Sequence, residues 1–456
     1  MKSTRAGRRS AWSFACIAAC LLLVAALGPW REAPVECLAL LAVAGAAWLV
    51  AVRSAEQGGP SFAALCAGAL LLRAIALASQ LDLSDDVVRY VFEGELVNRG
   101  ISPYAFGPAD PALAAVRDEL PQLTASVAHP TVPAIYPPLV HGVSALAARV
   151  AGWVGAAGEF GAVAVLRVFF TIADLCVLWP LAALLRRAGR PPTALVAWAF
   201  CPLVALEFAG SAHLDALGIL LLLLALVALA RADESPTRGR EIGASALLAA
   251  AVATKYLPLL VLPWLGDRAR GWKRGLWVGV FTILSFAPFV WMVGGERGLG
   301  GGLGQYGERW EGGSLVFRFV RGAAEQLFEP SAGWSDPARI ARLVVAALWL
   351  AWAAFVVVRV RERVRGLGLL VAGFLVLTPM LHPWYLTWML PFVALQPSRA
   401  WLWLIAAAPL LYAPLAGWQN SGSWVEPAWM WPVLAVPFFA LLLCGRSPLL
   451  APRPPA

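Results

Sequence analysis

Charge is scarce in this sequence: Asp, Glu, Lys and Arg make up 14% of its 456 residues, against 60% hydrophobic residues and a mean hydropathy of +0.72. Those proportions exclude a water-soluble globular fold and describe a polytopic membrane protein built of helices. Cysteine carries no chemistry either. Cys16, Cys20, Cys37, Cys66, Cys176, Cys201 and Cys444 lie in or beside apolar runs without ligand spacing, which excludes a disulfide framework and a zinc site. There is no repeat of fixed period and no low-complexity linker, so the whole of 1–456 reads as one integral membrane domain rather than an array. The formal charge of +9 does not call for nucleic acid, because the Lys and Arg residues follow the alternation of apolar runs.

Those runs predict about twelve spanning helices with both termini cytoplasmic, in the plasma membrane. Residues 1–30 resemble a signal peptide but lead directly into further spans at about 34–52 and 61–80, so the first segment reads as an uncleaved helix. The stretch 81–136 is then an extracytoplasmic loop. The run at 137–155 begins with Tyr136-Pro137-Pro138 and is expected not to cross, because Arg186, Arg187 and Arg190 after 163–185 belong on the cytoplasmic side. Segments at 193–209 and 214–230 form the next pair, 243–264 is broken at Lys255-Tyr256-Leu257-Pro258 and returns to the cytoplasm as two half-helices, and 273–293 then exits. A second outer loop is expected at 294–337; its GLGGGLGQYG lacks a preceding strand and reads as a flexible segment rather than a phosphate loop. Spans at 338–358, 366–381, 386–396, 400–416 and 428–444 complete an even count.

Against this apolar background one stretch stands out, LDLSDDVVRYVFEGELVNRGISPY from Leu81 to Tyr104. Ser84 or Asp82 can cap a helix that Gly100 ends. Helical spacing puts Asp85, Asp86, Arg89 and Glu93 on one face and Val87, Val88, Val91 and Phe92 mainly on the other. The segment is therefore expected to lie at the membrane surface with its carboxylates turned from lipid and Asp85 paired with Arg89. The whole loop holds eight acids against three arginines.

The topology gathers further polar residues at the outer surface: Tyr136 and His141, His213 and Asp215 at a helix start, and His382, Trp384 and Tyr385 between two spans. His141 reads as a structural group, while for His213 and His382 the structural and functional readings stand level. Lys255 lies inside an apolar helix, where an ammonium is expensive unless it faces a cavity or an anion. Carboxylates at a membrane face, with cations and aromatics nearby, suit the transfer of a sugar from a lipid phosphate to a hydroxyl. An Asp takes the hydroxyl proton, cations stabilise the departing phosphate, and aromatic faces meet the sugar. Asp86 is the expected base, since pairing with Arg89 makes Asp85 the weaker one.

SDDVVRYVFEGELVNRGISPY, IYPPL at 135–139, EFAGSAHLDAL at 207–217, TKYLPLLVLP at 254–263 and HPWYLTWMLPF at 382–392 resemble the GT-C superfamily of polyprenyl-phosphate-dependent mannosyltransferases. The likeness is to the bacterial branch called glycosyltransferase family 87 and its alpha-mannosyltransferase relatives, and it covers about 61–396, with 1–60 and 397–456 as additional helices. The chain departs from the usual pattern at Val88 and Ser102, where tyrosine and asparagine are common. The resemblance implies a GT-C helical bundle with its site on the first outer loop, a polyprenyl-phosphate-sugar donor, a glycolipid or glycan acceptor, and inversion at the anomeric carbon. It makes Asp85 and Asp86 the catalytic pair, and Lys255 and His382 phosphate contacts. The substrate-contact set is then Arg89, Tyr90, Glu93, Tyr104, Tyr136, His213, Asp215, Lys255, His382, Trp384 and Tyr385. No cofactor is expected, although a divalent metal stays open. A lipid-linked sugar flippase would show inverted repeats, and a surface-polysaccharide ligase or polymerase would place arginines in the first loop.

Overall fold

The computed structural model describes residues 2–80, 82–156, 158–329 and 336–445. Leu81 and residues 330–335 of the two expected outer loops, and 446–456 of the expected cytoplasmic C-terminus, lie outside the described residues. Every element among the described residues is helical, with three isolated bridges in place of a sheet. Among the described residues seven helices are long and apolar enough to cross a membrane: Gly7–Leu27, Pro34–Ala55, Gly161–Arg187, Asp215–Glu234, Arg268–Val290, Pro337–Arg359 and Arg399–Ser421. The pair Pro192–Ala199 and Pro202–Gly210, bent by 53°, makes an eighth if it counts as one span. Phe62–Ala78 and Met430–Cys444 are apolar but shorter. The count from apolar runs is higher because several runs are divided: 366–381 and 386–396, for example, fold as Arg363–Leu377, a 3-10 turn at Pro383–Met389 and the short Leu390–Leu395.

Two compact units divide the chain. One holds residues 1–81, 181–205 and 310–456, the other 82–180 and 206–309. In the first unit the buried Arg73 donates to the carbonyl of Ala199, and Trp48 donates to Ala197 O at 3.2 Å, so carbonyls freed where the bent pair breaks find side-chain donors. Gly312 pairs with Met380, and Glu426 accepts from Gly313 N at 2.5 Å.

The second unit is organised about Arg274, which is buried and donates to Asp233 (2.7 Å), to both carboxylate oxygens of Glu241 and to the Leu265 carbonyl. This joins one end of Asp215–Glu234, Arg238–Val252 and Arg268–Val290. A guanidinium saturated in this way supports three helix ends at once. At 20 residues Asp215–Glu234 is about 30 Å long, the thickness of a bilayer core, so Asp215 and the Arg274 cluster sit at opposite ends of a span-length helix. The glycine-rich stretch is not flexible coil: it forms the helix Gly301–Arg309. Gly302 lets that helix approach the backbone of Pro133 and Ala134, whose carbonyl oxygens a Cβ would strike.

Candidate functional site

The acidic helix spans Asp86–Asn98. Ser84 Oγ accepts from Asp86 N at 3.2 Å, as its position predicts. At the other end Gly100 has φ +72°, with Gly100 N bonded to Val97 O (3.0 Å) and Ile101 N to Leu96 O (2.9 Å), the double bond of a Schellman stop. The helix does not lie at a surface. Val87, Arg89, Tyr90, Val91, Phe92, Glu93, Gly94 and Leu96 are all buried, because the loop wraps one side and helix Pro138–Trp153 packs on another. Gly94 allows that second contact: a Cβ there would lie 2.5 Å from Ser144 C. Asn98 Nδ2 donates to Ala145 O at 3.0 Å and fixes the crossing.

Arg89 is not the partner of Asp85. Its guanidinium donates to the carbonyls of Ala128, His129 (2.9 Å) and Val132 (3.0 Å), and its carboxylate partner is Glu93 at 3.5 Å. The arginine therefore holds the 128–132 loop onto the helix and acts on Asp85 through space. Asp85 itself is exposed at its side chain, and surrounding protein mass raises its carboxyl above the usual range against the pull of Arg89.

Asp86 sits in a different environment, with its side chain 25% exposed. Its Oδ2 accepts from Tyr136 OH at 3.0 Å and from Tyr90 OH at 3.4 Å, the two rings packed edge to face. His213 Nδ1 lies 3.7 Å from the same oxygen. Burial and the like charge of Asp85 push its pKa to about 6, outweighing the Tyr136 hydrogen bond and the positive charges of Arg89 and Lys255.

Behind Asp86 lies a second pair. Glu93, pushed up to about 7 by burial despite Arg89, has Oε2 3.4 Å from His141 Nδ1. Burial depresses His141 to about 4, and its Nε2 is 3.0 Å from Tyr136 O, so the neutral ring donates there and turns an acceptor toward Glu93. Tyr104 OH also donates to Tyr136 O at 3.0 Å, and its ring meets the edges of His141 and Phe289. Tyr104 and His141 thus fix the residue whose hydroxyl holds Asp86.

His213 is presented by a strained turn. Ser211 N reaches Leu206 O at 2.8 Å, His213 N reaches Glu207 O at 2.9 Å, and Ala212 takes φ +57°. Arg167 donates to Ala209 O at 2.9 Å within the same turn. Asp215 opens the next helix and accepts from Lys255 Nζ at 2.5 Å; the aspartate is buried and the lysine 18% exposed. Lys255 stands in the break between Arg238–Val252 and the 3-10 segment Leu257–Trp264, and Leu139 N bonds to Ala253 O at 2.8 Å just before it.

Asp85, Asp86, Arg89, Tyr90, Glu93, Tyr104, Tyr136, His213, Asp215 and Lys255 all belong to the second unit. His382, Trp384 and Tyr385 belong to the first, where the His382 ring stacks on Trp384 at 4.1 Å and meets the edge of Tyr385. Among the described residues no three His, Cys, Asp or Glu side chains converge as a metal-ligand set. Sequence reasoning missed Glu207, which is fully buried with Oε2 3.4 Å from His213 Nε2. The signal for it was an acid inside the apolar run VALEF, a placement that is costly without purpose.

Comparison with known proteins adds one match, and it takes in every candidate of the second unit but none of His382, Trp384 and Tyr385. No curated protein and no solved structure matches the chain. Residues 17–269, more than half of the chain, match a family described as alpha-(1->6)-mannopyranosyltransferase, N-terminal domain, and this membrane protein belongs to that MptA_B family of mannosyltransferases.

Proposed function

We propose that the chain transfers mannose from a polyprenyl-phosphate donor to a hydroxyl of a glycan or glycolipid acceptor, at the extracytoplasmic face and with inversion. The observation that carries this reading is Asp86: a carboxylate partly open to solvent, gripped through one oxygen by two tyrosine hydroxyls, with a pKa near 6. A general base is most effective when its pKa lies near the working pH.

In this mechanism Asp86 takes the proton of the acceptor hydroxyl as its oxygen attacks the anomeric carbon. The bond to the phosphate oxygen breaks and the pair of electrons leaves with polyprenyl phosphate. Tyr90 and Tyr136 orient the base. Lys255, held by Asp215 and open on one side, meets the developing phosphate charge. The alpha-(1->6) linkage in the family description fits inversion of a beta-linked donor. The reading calls for no cofactor.

Sidedness follows the charges. Arg231, Arg238, Arg240, Arg268, Arg270, Lys273 and Arg274 gather near one end of the second unit and Asp215 lies at the other, so the basic end is assigned to the cytoplasm, together with both termini. The loops 81–136 and 294–337 are then outside, and 1–456 acts as one membrane-embedded enzyme. The test is to incubate purified protein with polyprenyl-phosphate-mannose, other lipid-phosphate sugars and nucleotide sugars. Consumption of the lipid-phosphate mannose alone supports the reading, and use of a nucleotide sugar overturns it.

A further inference from the structure

Glu207 is a buried acid of the second unit near Asp86 that the proposed mechanism does not use. Its carboxylate lies 3.4 Å from His213 Nε2, on the side of the ring away from Asp86, whose Oδ2 is 3.7 Å from Nδ1. Both Glu207 and His213 are fully buried. The same turn fixes them to each other through the backbone, since His213 N donates to Glu207 O at 2.9 Å. An imidazole can serve a carboxylate in two ways, and a group at its far nitrogen decides between them. With the proton on Nε2 toward Glu207, Nδ1 presents a lone pair to Asp86.

Resting on the Asp86 reading, we propose that Glu207 is a positioning residue: it holds the Nε2–H tautomer of His213, so that Nδ1 accepts the proton Asp86 takes from the acceptor hydroxyl. The acceptor O–H bond breaks and its proton goes to Asp86; the new bond to the anomeric carbon forms as the phosphate leaves. The proton then moves from Asp86 to His213 Nδ1, giving an imidazolium opposite the Glu207 carboxylate, and returns through the solvent-exposed edge of Asp86 once product has gone. Asp86 is thereby ionised again while the product phosphate, an anion, is still nearby. Other charged and titratable groups about this chain include Asp85, Arg89, Tyr90 and Tyr136 around Asp86, and Arg167 and the Asp215–Lys255 pair at the turn.

The experiment is a double-mutant cycle on the full-length protein in detergent or vesicles, with polyprenyl-phosphate-mannose as donor. Glu207→Leu is expected to lower kcat on the order of tenfold with donor KM unchanged, as for loss of the group that orients a catalytic imidazole. In a His213→Phe background the same change is expected to do nothing further, since Glu207 acts through the ring it no longer has. An equal fold-loss in both backgrounds overturns the proposal, because a purely structural acid acts regardless of His213. Should Glu207→Leu fail to fold, Glu207→Gln, which keeps volume and an acceptor, takes its place in the cycle with a smaller expected loss. A second readout needs no turnover: the chain has four histidines, so 15N-histidine spectra can be assigned by the His213→Phe variant. His213 is expected to carry its proton on Nε2, and to lose that preference in the Glu207 variant; an unchanged tautomer also overturns the proposal. Additive losses with an inactive Asp86→Asn sink Glu207 alone, whereas a fully active Asp86→Asn sinks the base assignment beneath it.

Discussion

Asp85 and Asp86 are neighbours in sequence, yet their surroundings divide them. Asp85 faces out, whereas Asp86 is folded against Tyr90, Tyr136 and His213. In sequence, Arg89 four residues after Asp85 points to Asp86 as the base; in the structure Arg89 holds the 128–132 carbonyls and Glu93 instead, so the preference for Asp86 rests on its tyrosine clamp. Because Asp86 must be ionised to act and its pKa is about 6, kcat/KM is expected to rise with pH through a limb near 6. The limb should vanish along with most of the activity in Asp86→Asn, and a pH profile flat from 5 to 8 in the wild type would contradict it. Glu93 makes an independent prediction. Its pKa is raised from about 4.5 to about 7, so the folded state holds its proton longer than the unfolded one and loses stability as pH climbs through that window. His141, lowered to about 4 from 6.5, has the opposite sign and loses stability as pH falls through 6.5 toward 4. The unfolding temperature of Glu93→Gln relative to wild type should therefore increase from pH 4.5 to 7 and level off above; a difference independent of pH would rule out the buried, raised carboxyl.

At the scale of elements, the helix Asp86–Asn98 was legible from sequence at both ends, since Ser84 and Gly100 are local signals whose action needs no tertiary partner. Its burial was not. Helical spacing sorts residues onto faces but cannot say that the charged face meets a loop of its own chain, and the alternation of Asp, Arg and Glu looks the same for a solvated helix. The break at Lys255 was legible for the reason that Pro258 and a lysine within an apolar run are both costly in a continuous helix. The helix Gly301–Arg309 was missed because glycine content argues against helix locally, and the gain comes from Gly302 against Pro133 and Ala134. Gly94 is the element-level test: Gly94→Ala forces a Cβ into the backbone of Ser144 and Ala145, and should destabilise the protein by about 1–3 kcal/mol, seen as a lower unfolding temperature in detergent. A variant as stable as wild type would mean that the two helices do not cross so closely.

For the whole molecule, the membrane class was written in composition, while the number of spans was not, because an apolar run of spanning length folds equally into a span, a bent pair or two short helices. Sidedness is the molecular property most open to measurement. With cysteines removed and one placed at Asp110, a membrane-impermeant thiol reagent should label intact cells, and one at Arg270 should react only after permeabilisation; the reverse pattern would move the site to the cytoplasm. The account stands most directly on the turnover of lipid-linked mannose by Asp86. Purified wild-type protein, given polyprenyl-phosphate-mannose and a glycan or glycolipid acceptor, should release polyprenyl phosphate, and Asp86→Asn should do so on the order of 10²-fold more slowly with donor binding preserved. Turnover by Asp86→Asn at the wild-type rate would contradict the account.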